Sequence, residues 1–595
     1  LGGTGNVGLG SGAFGTGLTT GTDNVAIGDS AGDALTSGSE NTFVGDNAGG
    51  ATTTASYNTA VGRNALLVNS TGASNTAVGK GALDANTTGS DNVGVGALAL
   101  SANTTASNNV AVGRSALAVN TTGTENVAVG KGALAANTTA NANTAVGEAA
   151  LTANTTGASN TAVGEGALTA NTTASNNVAV GTSALVANTT GASNVAVGYQ
   201  AGLAVTTGTE HTLIGYQAGK SLTEGHSSTI MGYQAGFSLT TGGDNTFLGE
   251  ESGFFVTTGA DNTYVGANSG ANSNTSTGSR NTGLGAASID AITTGTDNTA
   301  LGNDALTALT TGNYNVACGT ALAATTTGGQ NVAVGFAALG SNTTASGNTA
   351  VGDYALNANT TGARNVAVGK NALDANTTDT DNTAVGYDAL TAAAGAYYSV
   401  GVGTYAGAAT TTGVSNTFVG YSAGKLNTTG AENTVVGSLA FDANTTGNNN
   451  VAIGRQALTA NTTADDNVAV GDNAMNVSST GEANTALGTR TLLAATTANY
   501  NTAVGKDAGM GITTGGYSTI VGVSAGVTIS TGTALTAVGY GAANATTAND
   551  ITAVGYRAAV SHTSGTNLTA FGTEALEAST TANNNTAVGF RAGED

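Results

Sequence analysis

ANTTGASNTAVGEGAL occupies residues 153–168, and nearly the same words return at residues 187–198 as ANTTGASNVAVG and along most of the chain. Marking each N[TV]xVG-like word by its final glycine gives Gly10, Gly28, Gly45 and onward to Gly589, thirty-five marks in 595 residues. Thirty of the thirty-four intervals are 17 residues; the exceptions are 18 (Gly10 to Gly28), 19 (Gly266 to Gly285) and two of 16 (Gly319 to Gly335, Gly539 to Gly555). A fixed period sustained this long marks a solenoid in which each repeat stacks on its neighbours.

The consensus is N-T-A-V-G-x-x-A-L-x-A-N-T-T-G-x-x, numbered below as positions 1 to 17. It is too short for the helix pairs of α-solenoids, and Gly, Asn and Thr are poor helix formers. One turn of a β-solenoid fits instead: a short strand, a Gly turn, a second short strand and a TTG turn. Proline is absent, as expected where every coil donates hydrogen bonds to the next. The sequence therefore predicts an all-β fold, a β-solenoid of about 35 coils with one coil per repeat. It is read as a single continuous array over residues 1–595, with small insertions or deletions near 11–27, 267–284, 320–334 and 540–554. At about 4.8 Å per coil the expected rod is roughly 165 Å long.

Comparing copies suggests which positions face inward. Position 2 is Thr or Val and position 4 is always apolar, so Thr161, Val163, Val178 and Val180 are read as core, with Leu168 at position 9. The size of position 3 depends on position 9: Ala162 goes with Leu168, whereas Phe43, Leu213, Ile230, Phe247, Tyr264, Phe418 and Ile520 go with Gly49, Gly219, Gly236, Gly253, Gly270, Gly424 and Gly526. Val435 with Phe441 breaks the pattern. Close-packed interiors penalise volume changes in either direction, so these two positions are inferred to touch, and Phe247 and Gly253 join the core. The strand is then apolar on both faces, one more than a thin coil can bury, which points to packing on another chain. Asn columns at position 1 (Asn160, Asn177, Asn194) and position 12 (Asn154, Asn171, Asn188) give way elsewhere to aliphatic residues, so they are read as buried amide ladders.

The words NVAIGDSAG (residues 24–32), NTAVGEGAL and NVAVGYQAG resemble the head repeats of trimeric autotransporter adhesins of the YadA-like kind, and the related NTAVG-type repeats of phage tail fibres and bacterial surface fibres. The resemblance covers essentially the whole chain, although this period is longer than the usual head repeat. It implies a left-handed β-roll, three chains side by side, and a role in surface attachment.

Composition narrows the partners. The formal charge of −22 disfavours nucleic acid, whose binding rests on Lys and Arg neutralising phosphates. No stretch approaches 18 apolar residues, so no membrane span is expected. Cys318 stands where Val is usual and is read as a small buried hydrophobe, leaving the redox compartment open. The chain opens inside a repeat, at LGGTGNVGLG, without a signal peptide, and no distinct capping repeat is apparent. Either a longer protein or head-to-tail stacking is expected from such ends.

Candidate sites are few. His211, His226 and His562 are scattered, and His211 occupies an Asn-ladder position. Glu250 and Glu251 evoke a glycosidase carboxylate pair but sit at a turn where Asp, Lys, Arg and Tyr also occur, so no catalytic residue and no enzyme activity is assigned. Acidic residues before position 1, such as Asp23, Glu40 and Asp91, leave calcium as an alternative to no cofactor, although the slot is elsewhere Ser, Tyr, Arg or Ala. The NTT triplets match a glycosylation acceptor, against which ladder packing is preferred. Tyr199, Tyr216 and Tyr233, with Gln200, Gln217 and Gln234 beside them, are expected to stack as a strip. That strip is a candidate contact for a glycan or a partner through the ring faces, with plain ladder stacking as the alternative.

The functional reading is a structural extracellular fibre protein, serving in surface adhesion or as a self-assembling filament or biofilm matrix. Its partner is itself, as a trimer or a head-to-tail fibre, with a surface glycan or host receptor as a further candidate. The alternatives are a phage tail-fibre shaft for host attachment, which would place it on the virion, and an ice- or glycan-binding solenoid.

Overall fold

The computed structural model describes residues 3–271 and 275–594 and is an all-β, parallel β-solenoid of about 35 coils of roughly 17 residues, without a helix among the described residues. It divides into two units, Leu1–Asn298 and Thr299–Asp595. Among the described residues the first holds seventeen strands, from Val7–Leu9 to Thr282–Leu284, and the second eighteen, from Thr299–Leu301 to Thr586–Val588.

Each strand is only three or four residues long and pairs in parallel with the same three words one coil away. Thr161, Ala162 and Val163 face Val178, Ala179 and Val180. Irregular repeats do not disturb this register: Val7 pairs with Val25 across the 18-residue interval, Thr263 with Thr282 across 19, and Val316 with Val332 across 16. Length changes are therefore absorbed outside the strands. Part of the insertion near 267–284, residues 272–274, lies outside the described residues.

The face assignment made from the sequence is corrected. Position 3 is fully buried (Ala162, Ala179), whereas Thr161, Val163, Val178 and Val180 are half-exposed and point outward. Position 3 meets position 9 across the turn, where Leu168 is buried, and strand alternation then turns positions 2 and 4 to solvent. Cys318, at position 4, is likewise half-exposed rather than buried.

Contact between positions 3 and 9 explains their coupled sizes. A Cβ on Gly253 would lie 2.7 Å from the Phe247 ring, one on Gly49 2.6 Å from Phe43, and one on Gly219 2.9 Å from Leu213. Only a hydrogen fits beside a large third residue.

Among the described residues no second strand follows the Gly turn. Positions 6 to 11 form consecutive tight turns, because positions 7 and 9 take left-handed backbone: Gly166 at φ 68° and Leu168 at φ 52°. Position 17 does the same, as in Ser159 at φ 58°. A left-handed non-glycine residue costs about 1–2 kcal/mol, which full burial of a leucine side chain, at about 1.5–3 kcal/mol, offsets at position 9. Turn backbone still hydrogen-bonds between coils, Leu168 N–H donating to the Ala184 carbonyl at 3.0 Å.

Gly253→Leu should therefore overpack and strain its coil, costing about 1–3 kcal/mol. Adding Phe247→Ala should recover most of that loss by restoring the Ala/Leu pairing found elsewhere. Amide hydrogen exchange of residues 244–270 checks both, and equal destabilisation of the single and double variants would refute the contact.

Candidate functional site

Three sets of side chains repeat along the stack: the internal amides, the turn edge at positions 6, 7 and 10, and the outward strand face. The amides at Asn154, Asn160, Asn171, Asn177, Asn188 and Asn194 are fully buried. At position 1 each side-chain oxygen accepts the next coil's backbone N–H, as Asn160 Oδ1 does from Asn177 at 3.0 Å. The Asn160 Nδ2 donates to the Ala174 carbonyl at 2.9 Å. At position 12 the amides bond each other directly: Asn171 Nδ2 donates to Asn154 Oδ1 at 2.9 Å and Asn188 Nδ2 to Asn171 Oδ1 at 3.1 Å.

These ladders end where the sequence turns aliphatic. The next residue in the column after Asn188 is Val205, and Asn188 Oδ1 is buried without a hydrogen bond; Ala393 follows Asn376, with the same result for Asn376 Oδ1. An unpaired buried acceptor costs about 1–3 kcal/mol, so one uninterrupted run of amides is cheaper than several short ones.

His211 keeps the position-1 ladder with an imidazole. Its backbone N–H donates to Asn194 Oδ1 at 3.0 Å, its Nε2 meets the Gly225 carbonyl at 2.7 Å, and its Nδ1 lies 3.3 Å from the Ser228 N–H. Nδ1 thus accepts and Nε2–H donates, which requires the neutral ring. Burial pushes the His211 pKa below its ordinary value, partly opposed by the Gly225 hydrogen bond. His562 is also buried, against the Gly565 backbone, while His226 is exposed 3.6 Å from Asp244. The three histidines are bound into separate coils, and Glu250 and Glu251 lie on the turn edge beneath Tyr233 and Gln234 in their columns. No group of three or more His, Cys, Asp or Glu side chains converges among the described residues.

Along the turn edge, Tyr199, Tyr216 and Tyr233 stack at 5.3 and 5.2 Å with interplanar angles of 15° and 9°. Beside them Gln217 Nε2 donates to Gln200 Oε1 at 2.8 Å, and Gln234 Nε2 to Gln217 Oε1 at 2.9 Å. The rings are about half-exposed, but both faces of Tyr216 and the inner faces of Tyr199 and Tyr233 lie against a neighbouring ring, so along its middle the strip presents edges and hydroxyls. Charged side chains on this edge pair between coils, Lys131 with Glu148 at 2.8 Å and Arg63 with Asp46 at 3.6 Å. Exposed pairs of this kind contribute little. The position-13 threonines are spent internally, Thr155 Oγ1 donating to the Thr172 carbonyl at 3.0 Å.

A second aromatic group lies in the other unit. Tyr387 and Tyr405 are 5.5 Å apart with planes at 90°, and Tyr405 and Tyr421 are 6.5 Å apart at 74°. These residues alternate between positions 6, 7 and 6, so no single column reveals them. Three tyrosines in consecutive coils at GYDAL, GTYAG and GYSAG are the signal that would have.

The outward face is the most extensive feature. Position 2 is Thr or Val, and position 4 Val, Ile, Leu, Met, Cys or Phe, in every coil of both units, without a charged residue at either.

Neither a protein-family model nor a curated protein matches the chain.

Because the His211 ring must be neutral and its pKa is lowered by folding, it contributes stability that is present above its unfolded value of about 6.5 and is lost as pH falls below it. Exchange of the amides between residues 208 and 230, corrected for intrinsic rate, should speed up between about pH 7.5 and 5.5. His211→Asn, which restores the ladder residue, should abolish that dependence.

Proposed function

We propose that this chain is a structural protein of the cell exterior, whose repeat array self-associates through the outward strand face and serves in surface adhesion or as the subunit of a filament or biofilm matrix. The observation that carries the reading is the absence of charge at positions 2 and 4 in all thirty-five strands. Sheets left facing water alternate apolar and polar residues and guard themselves with charge. Here the solvent face is a Thr/Val column beside an aliphatic one. Several position-4 side chains are more than one-third exposed, among them Met231 at 38%, Leu301 at 48% and Leu487 at 47%.

Scattered apolar residues are ordinary on a monomer, whereas one per coil in an unbroken row makes an interaction surface. A second copy is the favoured occupant, because another stack of the same chain has the same axial spacing, so side chains that interdigitate in one coil do so in all. Three chains is the stoichiometry that the resemblance to adhesin head repeats implies. The low charged fraction, 8%, and the uncharged Thr, Asn and Ser edges suit a surface structure whose assembly depends little on salt.

Sedimentation tests this directly. The chain of 56.7 kDa should sediment as a multi-chain species. The triple substitution Val146→Glu, Val163→Glu and Val180→Glu, which adds charge without touching the core, should shift it toward the single chain. A wild-type chain that stays monomeric at high concentration would contradict the reading.

A further inference from the structure

We propose that Tyr387, Tyr405 and Tyr421 form a binding site for a neutral oligosaccharide, distinct from the outward strand face and independent of self-association. The case begins with ring orientation. Perpendicular rings cannot cover each other's faces as a parallel stack does, and in a T-shaped pair at least one ring keeps both faces clear of the other. Tyr405 lies in the coil between the other two, 5.5 Å from Tyr387 and 6.5 Å from Tyr421, and is steeply inclined to both. The outer pair, both at position 6, are two coils apart, about 9–10 Å at the inter-strand spacing. Thr404 is the small residue between them in the column. Two exposed rings (Tyr387 at 43%, Tyr421 at 54%) thus flank a half-buried third, a spacing on the scale of a sugar ring.

The polar surroundings fit the same ligand class. Lys425 Nζ sits over the Tyr405 ring, 5.2 Å from its centroid, which leaves the outer two rings as the apolar faces on offer. Asp388 follows Tyr387 in sequence and accepts from Asn371 Nδ2 at 2.9 Å. Its carboxylate raises the Tyr387 phenol pKa, chiefly through its charge and also by accepting the phenol's hydrogen bond, which holds the exposed ring in place. Lys370 and Lys425 stand near Asp388 and Asp442 in neighbouring coils, so the cluster carries charges of both signs and favours neither a polyanion nor an organic cation. Apolar ring faces beside fixed donors and acceptors match a pyranose, with its C–H face and hydroxyl rim. In the Tyr199–Tyr216–Tyr233 stack both faces of Tyr216 are covered by its neighbours, so Tyr216 serves as an internal control.

The experiment is calorimetric titration of the full chain with cellotetraose, chitotetraose and mannotetraose, with trigalacturonate as the charged comparison. At least one neutral probe should bind with a millimolar or tighter Kd. Tyr387→Ala and Tyr421→Ala should each weaken that binding about tenfold, the usual scale for truncating an aromatic anchor, while Tyr216→Ala leaves it unchanged. Both exposed substitutions should retain wild-type circular dichroism. The proposal is overturned if no neutral probe binds up to about 10 mM, if trigalacturonate binds more tightly than all of them, or if Tyr216→Ala is the variant that loses binding.

Discussion

The glycine at position 5 is the constraint on which the rest of the stack depends. In coil after coil it takes φ near +135°, as in Gly79 at 135° and Gly164 at 136°, where a side chain is strained. A Cβ there would also collide with the next coil: on Gly164 it would lie 2.5 Å from the Gly181 carbonyl oxygen. Both reasons exclude every other residue, so the chain reverses at the same point in each repeat and places like residues on like. Register of the strands, contact between positions 3 and 9, and the amide ladders all follow from that alignment.

Uniformity is therefore a physical requirement for each ladder and a penalty wherever it stops. An amide column satisfies its own donors and acceptors only while the next residue is again a hydrogen-bonding one, and Asn188 and Asn376 show the orphaned oxygen that appears when it is not. His211 shows the tolerance of the position-1 column: another group survives there if it offers one donor and one acceptor at the same places. Left-handed residues in the turns oppose folding in every coil, and the buried leucine or glycine at position 9 makes that conformation sustainable.

Much of this was legible in the sequence. Period, fold class and the touching of positions 3 and 9 can be read from covarying sizes such as Phe247 with Gly253. Which strand face is inside was misread, because Thr and Val at position 2 look like core residues when judged by shape alone. The contact between positions 3 and 9 already contained the answer, since a strand that points Ala162 inward must point Thr161 and Val163 outward. The expected second strand fails for a backbone reason: Ala-Leu words look extended until Leu168 is seen at positive φ. Tyr387, Tyr405 and Tyr421 escaped notice because a column-by-column comparison separates residues that a turn brings together.

The corrected orientation strengthens the functional reading. The outward face is aliphatic, free of charge and repeated at the same interval in both units, so self-association is the simplest way for it to leave water. Thiol reactivity of Thr161→Cys, Ala162→Cys and Val163→Cys, each in a Cys318→Ser background, tests this most directly. In dilute solution residues 161 and 163 should react and residue 162 should not, and on concentration both reactive sites should become protected. Reactivity at 162, or undiminished reactivity at 161 and 163 in the concentrated protein, would contradict the account.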